Sequence, residues 1–247
     1  MKKIVLLLFS VTTSLFSFTI SSDDAKEIAD KIWRNECGGT LSGLTHWGKG
    51  EGFGSFGIGH FIWYADGKRE KFEETFPDLI QFLQKERAQI PLWLQKSSHC
   101  PWKTREEFYQ DIDSPKMVAL RQMLLATRGL QAAYIVDRFE KALTKIESKE
   151  EILQKVSLLT STKQGTYALI DYLNFKGSGL SELERYQGQG WGLLQVLSHM
   201  GSSKDPLIEF VTSAKHILSL RVKNAPSERD EEKWLAGWNH RLETYLD

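Results

Sequence analysis

Glycines crowd one short stretch of the chain, at Gly48, Gly50, Gly52, Gly54, Gly57 and Gly59, and they are interleaved with Trp47, Phe53, Phe56, Ile58, Phe61 and Trp63. A glycine inside a helix costs about 1 kcal/mol relative to alanine, so this run opposes a helix. Aromatic and β-branched side chains favour a pleated surface instead. The stretch 44–64 therefore reads as a small twisted hairpin or three-stranded antiparallel sheet, with its first turn near Gly48 to Gly52.

The flanks carry a different period. Ala25, Ile28, Ala29, Ile32 and Trp33 follow one helical face. Asp23 or Asp24 suits an N-cap and Gly38-Gly39 a stop, so a helix is expected over 23–36. Glu36 lies four residues after Ile32 and continues the apolar stripe. A helix over 76–84 starts at Pro77. Pro91, Pro101 and Pro115 then punctuate a loop-rich region. Further helices are expected at 115–127, 129–146, 149–158, 163–174, 190–199, 204–222 and 228–246, interrupted by the glycine-rich stretch 177–192. Helix, small sheet, then many helices is an α+β order, mainly α. One domain over 23–247 is expected, with residues 23–75 carrying helix and sheet and 76–247 forming a larger helical lobe.

The start of the chain has the order of a secretory leader. Lys2 and Lys3 precede the apolar run Ile4 to Phe9, and Thr19, Ser21 and Ser22 precede Asp23. Ser10, Thr12, Thr13 and Ser14 break the run, so it is too short and polar to span a bilayer. Residues 1–22 read as a removable signal peptide and the mature chain as exported, periplasmic or secreted. No integral membrane segment is expected after its removal. The chain has 32 basic and 32 acidic residues. Without Lys2 and Lys3 the balance is 30 against 32, a net of −2, which offers no basic field for nucleic acid. Cys37 and Cys100 make an even count, which favours a disulfide in an oxidising compartment. Two buried free thiols are the alternative.

Glu36 is the candidate for chemistry. Cleaving a glycosidic bond requires a carboxyl group that still holds a proton near neutral pH, and desolvation is the usual way to provide one. Glu36 ends an apolar face and is followed by the aromatic sheet. Glu51, between Gly50 and Gly52, is the nearest second carboxylate, and Ser55 is placed to hold a water. The segments Tyr172 to Gly179 and Tyr186 to Gly192 put Asn174, Tyr186, Gln189 and Trp191 on glycine-rich turns. Such groups suit sugar hydroxyls and N-acetyl groups. A helix cap and loop folded onto the core is the other reading. His46, His60 and His99 lack metal-ligand spacing, so neither zinc nor any other cofactor is expected.

Glu36, the hairpin, then Ser55-Phe56-Gly57-Ile58-Gly59-His60 resembles the active-site segment of T-even phage lysozymes. The resemblance implies a lysozyme-like fold acting on peptidoglycan glycan strands. It makes Glu36 the general acid, Ser55 the residue that positions water, and His60 a structural histidine. The family's acidic hairpin residue falls at Lys49 here, so Glu51 could serve only in a reshaped hairpin. Glu36-Cys37-Gly38-Gly39 also resembles the helix-ending segment of goose-type lysozymes and lytic transglycosylases. Two other classes stay open. One is a non-catalytic wall-binding module. The other is a cysteine peptidase or amidase using Cys37, His60 and Asn174, although Cys37 follows a helix rather than heading one.

Overall fold

The glycine-aromatic stretch forms three antiparallel strands, β1 (Thr45–His46), β2 (Phe53–Phe56) and β3 (Phe61–Tyr64), in the order β1-β2-β3. The computed structural model describes residues 20–146 and 150–247. The leader expected over 1–22 lies, up to residue 19, outside the described residues.

Helix α1 (Ser22–Cys37) precedes the sheet. The Ser21 hydroxyl caps it by accepting from the Asp24 N–H, and Gly38 ends it at φ 60°. Ile28, Ala29 and Ile32 are buried, as the stripe requires. In β2, Ser55 pairs with His46 and with Ile62, so these side chains share one face. Phe56 turns to the other face and packs against Trp63, Phe76 and Trp102. The turn after β2 carries Gly57 at φ 76° and His60 at φ 49°. Buried Gln131 pins that turn: its Oε1 accepts from the Ile58 N–H at 2.9 Å.

The remainder is helical: α2 (Phe76–Lys85), α3 (Leu92–Gln95), α4 (Arg105–Gln110), α5 (Pro115–Ala126), α6 (Arg128–Ile146) and α7 (Glu150–Thr160). They are followed by α8 (Lys163–Lys176), α9 (Leu193–His199), α10 (Pro206–Asn224) and α11 (Glu232–Glu243). A two-stranded ribbon, β4 (Arg185–Tyr186) and β5 (Gln189–Gly190), sits in the glycine-rich stretch. The class is α+β, mainly α. Short α3 and α4 occupy what reads in the sequence as loop, because four to six residues are too few to show a helical period.

Helix α8 is the centre of the lobe and packs against α1, α6, α7 and α9. It is apolar almost all round, as a fully enclosed helix should be. Asp171 and Lys176 are the charged residues buried on it. Among the described residues no helix is long and apolar enough to cross a membrane.

Candidate active site

Where the sheet faces the helical lobe, a cleft of about 840 Å³ opens. Glu36, Glu51, Ser55, His60, Asn174 and Trp191 all line it. Residues separated by up to 155 positions in the chain are thus brought to one surface.

Glu36 continues the buried stripe of α1 and surfaces in the cleft wall, with its side chain 14% exposed. Its surroundings differ from the apolar setting that the sequence suggests. Arg241 Nη1 donates to Glu36 Oε1 at 2.7 Å. The same guanidinium grips Asp171 with Nε to Oδ2 at 2.8 Å and Nη2 to Oδ1 at 2.6 Å. Tyr245 donates its hydroxyl to Asp171 Oδ2 at 2.5 Å. Burial works against the Arg241 charge, but Asp171 first and Glu36 next overcome it and hold its pKa well above the usual range. Asp171 is fully buried and already balances Arg241. The contact to Glu36 is therefore an orienting hydrogen bond from a neutralised pair, rather than a bare ion pair.

The turn at Gly57 and His60 aims the His60 ring at the second carboxyl oxygen. His60 Nδ1 lies 3.6 Å from Glu36 Oε2, and Nε2 lies 3.0 Å from the Gly43 carbonyl oxygen. A carbonyl only accepts, so Nε2 carries a proton in that contact. In the neutral ring Nδ1 then presents a lone pair toward Glu36 Oε2. His46 stacks on His60 with centroids 5.7 Å apart. Burial, then the charges of His60 and Arg105, lower the His46 pKa.

Glu51 lies in the loop between β1 and β2. Its Oε2 accepts from the Gly48 N–H at 3.2 Å, and its carbonyl accepts from Trp47 Nε1 at 2.7 Å. Burial pushes its carboxyl pKa up, and the Gly48 contact only partly offsets this. Glu51 is thus a desolvated acid in the same cleft as Glu36. Ser55 is buried on the cleft face of β2, two residues from Phe53, which also lines the cleft.

The expected sugar-binding residues divide. Asn174 lines the cleft, and its Nδ2 donates to the Gly59 carbonyl at 3.3 Å. Its Oδ1 sits 2.7 Å from where a side chain on Gly59 would begin, so a larger residue there would push the Asn174 amide out of this position. Trp191 forms part of the wall. Tyr186 is turned inward: its hydroxyl donates to Glu231 Oε1 at 2.8 Å and it does not line the cleft. Gln189 is exposed on β5, away from the cleft.

The expected Cys37–Cys100 bridge is not formed; both thiols are free and buried. Cys37 points under the sheet turn, with Sγ 3.4 Å from the Gly57 carbonyl oxygen. Cys100 lies beside Ala65, where its N–H donates to the Tyr64 carbonyl at 2.8 Å. Burial raises both thiols, Cys100 to about 12 and Cys37 further with help from the Glu36 charge. A nucleophilic cysteine needs the opposite shift, and Cys37 does not line the cleft.

The sequence reading missed the contribution of the C-terminal lobe. Trp234 and Trp238 line the cleft from α11, the helix that also supplies Arg241. Their i, i+4, i+7 spacing was the available signal. Arg221 and Arg229 line it too, held from behind by buried Glu231, which accepts from Arg221 at 2.7 Å and 2.9 Å and from Arg229 at 3.1 Å. Burial disfavours the Glu231 charge, but Arg221 and Tyr186 outweigh it and lower its pKa. Among the described residues, no group of three or more His, Cys, Asp or Glu side chains is arranged to hold a metal ion. Comparisons with known families, with curated proteins and with solved structures each find no match to this chain.

Proposed function

We propose that the protein is an exported glycosidase that cuts the glycan strands of peptidoglycan, with Glu36 as general acid. The observation that carries this reading is the setting of Glu36. It ends the first helix at the wall of a large cleft, faces a sheet, and has one oxygen fixed by Arg241. The other oxygen faces His60 Nδ1 and is free of the arginine. A proton carried on Oε2 is then the one available to a leaving glycosidic oxygen when a strand fills the cleft.

The second requirement is a group that attacks or stabilises the oxocarbenium-like centre. Ser55 and Glu51 line the same cleft and supply a hydroxyl and a carboxyl for holding water. The half-buried Trp234 and Trp238 rings suit sugar rings, Trp191 is buried beneath Arg221 as part of the wall, and the Asn174 amide suits an N-acetyl group. The resemblance to T-even phage lysozymes supports the same roles for Glu36, Ser55 and His60. Export rests on the order of residues in the leader.

The test is incubation of the purified protein with peptidoglycan sacculi, followed by mass analysis of released fragments. Reducing-end fragments mean hydrolysis and anhydro ends mean transglycosylation. Retention on sacculi with no fragments would replace the enzyme reading with a wall-binding one.

A further inference from the structure

Lys176 is the last residue of α8, is 8% exposed, and lines the cleft. Its Nζ sits 3.5 Å from the centroid of the Trp238 ring and 3.9 Å from that of Phe175. The other cationic side chains of the cleft are matched or solvated. Arg221 and Arg229 share Glu231. Arg138 meets Glu73 at 3.2 Å, Lys233 meets Asp230 at 3.5 Å, and Lys49 is exposed. Lys176 has no acidic partner at contact distance among the described residues; Glu231 and Glu36 act on it only through space.

A buried ammonium without a counter-charge is costly, and an aromatic face compensates only part of that cost. We infer that Lys176 is a recognition site for a carboxylate carried by the glycan strand, its ammonium presented to the cleft from beside the Trp238 ring. This rests on the glycosidase reading and assigns to Lys176 the part of its specificity that separates acidic strands from neutral ones. A lactyl ether or a peptide stem supplies such a group; a neutral polymer of N-acetylated sugars does not. Burial, then Arg221 and Arg241, push the Lys176 pKa well below its ordinary range. A bound carboxylate supplies the opposite charge that this position lacks.

The experiment measures binding in the Glu36→Gln background, so that strands stay intact. The ligands are soluble peptidoglycan strands, the same strands with their carboxylates amidated, and neutral chitin oligosaccharides. The expected result is a loss of roughly ten- to a hundredfold in affinity on amidation, the range for a hydrogen bond between charged groups. Lys176→Met keeps an unbranched chain over Trp238 and should erase the difference between native and amidated strands. It should leave chitin oligosaccharide binding unchanged. Equal affinity for native and amidated strands overturns the inference without use of the variant. So does a Lys176→Met variant that loses both acidic and neutral ligands alike. Cleavage of sacculi with no dependence on strand charge removes this inference and leaves the glycosidase reading standing. Lys176-dependent preference for acidic strands, with a parent protein that releases no fragments from sacculi, overturns the glycosidase reading and leaves the recognition site standing.

Discussion

Arg241 Nη1 donates to Glu36 Oε1 at 2.7 Å across 205 positions of sequence, so the last described helix fixes the carboxylate that ends the first. The same guanidinium makes a two-pronged contact to fully buried Asp171. The geometry of the cleft wall and the stability of the lobe therefore share one residue.

Arg241→Met is expected to strip Asp171 of its charge partner and leave it with the Tyr245 hydroxyl alone. Breaking a buried pair from one side costs about 3–5 kcal/mol, and denaturant unfolding should show a loss of that size. Arg241→Lys keeps a charge but lacks the planar fork, and should fall between the two. A loss below about 1 kcal/mol for Arg241→Met, the value of an exposed pair, would mean that the pair contributes little to stability.

The first third of the chain was the most legible part. The alternation of Phe53, Ser55 and Phe56 with glycines required a sheet, and the stripe ending at Glu36 required a helix directed into it. Local periodicity could supply both. It could not supply Arg241, because nothing near Glu36 in sequence announces a partner from α11. The apolar surroundings inferred for Glu36 failed for that reason. Lys176 ends the helical run Tyr172 to Lys176, where a lysine is ordinarily solvated. It is buried here because α11 lays Trp238 across it. For Tyr186 the sequence leaves a sugar-binding turn and a loop folded onto the core both open, and the structure has the second, with Glu231 drawing its hydroxyl inward.

Glu51→Gln is expected to stabilise the fold more at pH 7 than at pH 4. Burial raises the folded-state pKa of Glu51 above its ordinary value near 4.5. The folded state then binds more protons than the unfolded state between those two values. The Glu51 contribution is most favourable below the unfolded pKa and is lost as pH rises through the folded one. Glutamine removes the charge while its amide oxygen can still accept from the Gly48 N–H. Melting temperatures of parent and variant at the two pH values test this. An identical difference at both would show that Glu51 does not titrate as a buried acid.

The free thiols give a third check. A chain unfolded without reductant should yield two titratable thiols, from Cys37 and Cys100. The native protein should react slowly at pH 8, because burial holds Cys100 near 12 and Cys37 higher still. Only the thiolate reacts at an appreciable rate. Finding no thiol in the unfolded, unreduced chain would restore the disulfide.

Glu36→Gln separates chemistry from structure. Glutamine matches the size of glutamate, and its amide oxygen can keep accepting from Arg241 Nη1. The Asp171–Arg241 pair is untouched, so the melting temperature should shift little. What is lost is the ionisable proton at the position facing His60 Nδ1. A general acid is typically worth about 10²–10⁴ in rate, and fragment release from sacculi should fall by that factor while binding persists. Ser55→Ala is the companion variant. If Ser55 holds the attacking water, its loss should lower the turnover rate without weakening binding. If Glu51 holds that water alone, Ser55→Ala should leave turnover near that of the parent. A folded Glu36→Gln protein that digests sacculi at the parent rate would remove Glu36 as the acid. Glu51, the one carboxyl of the four lining the cleft that is both raised by burial and carried on the hairpin, would then become the residue to test.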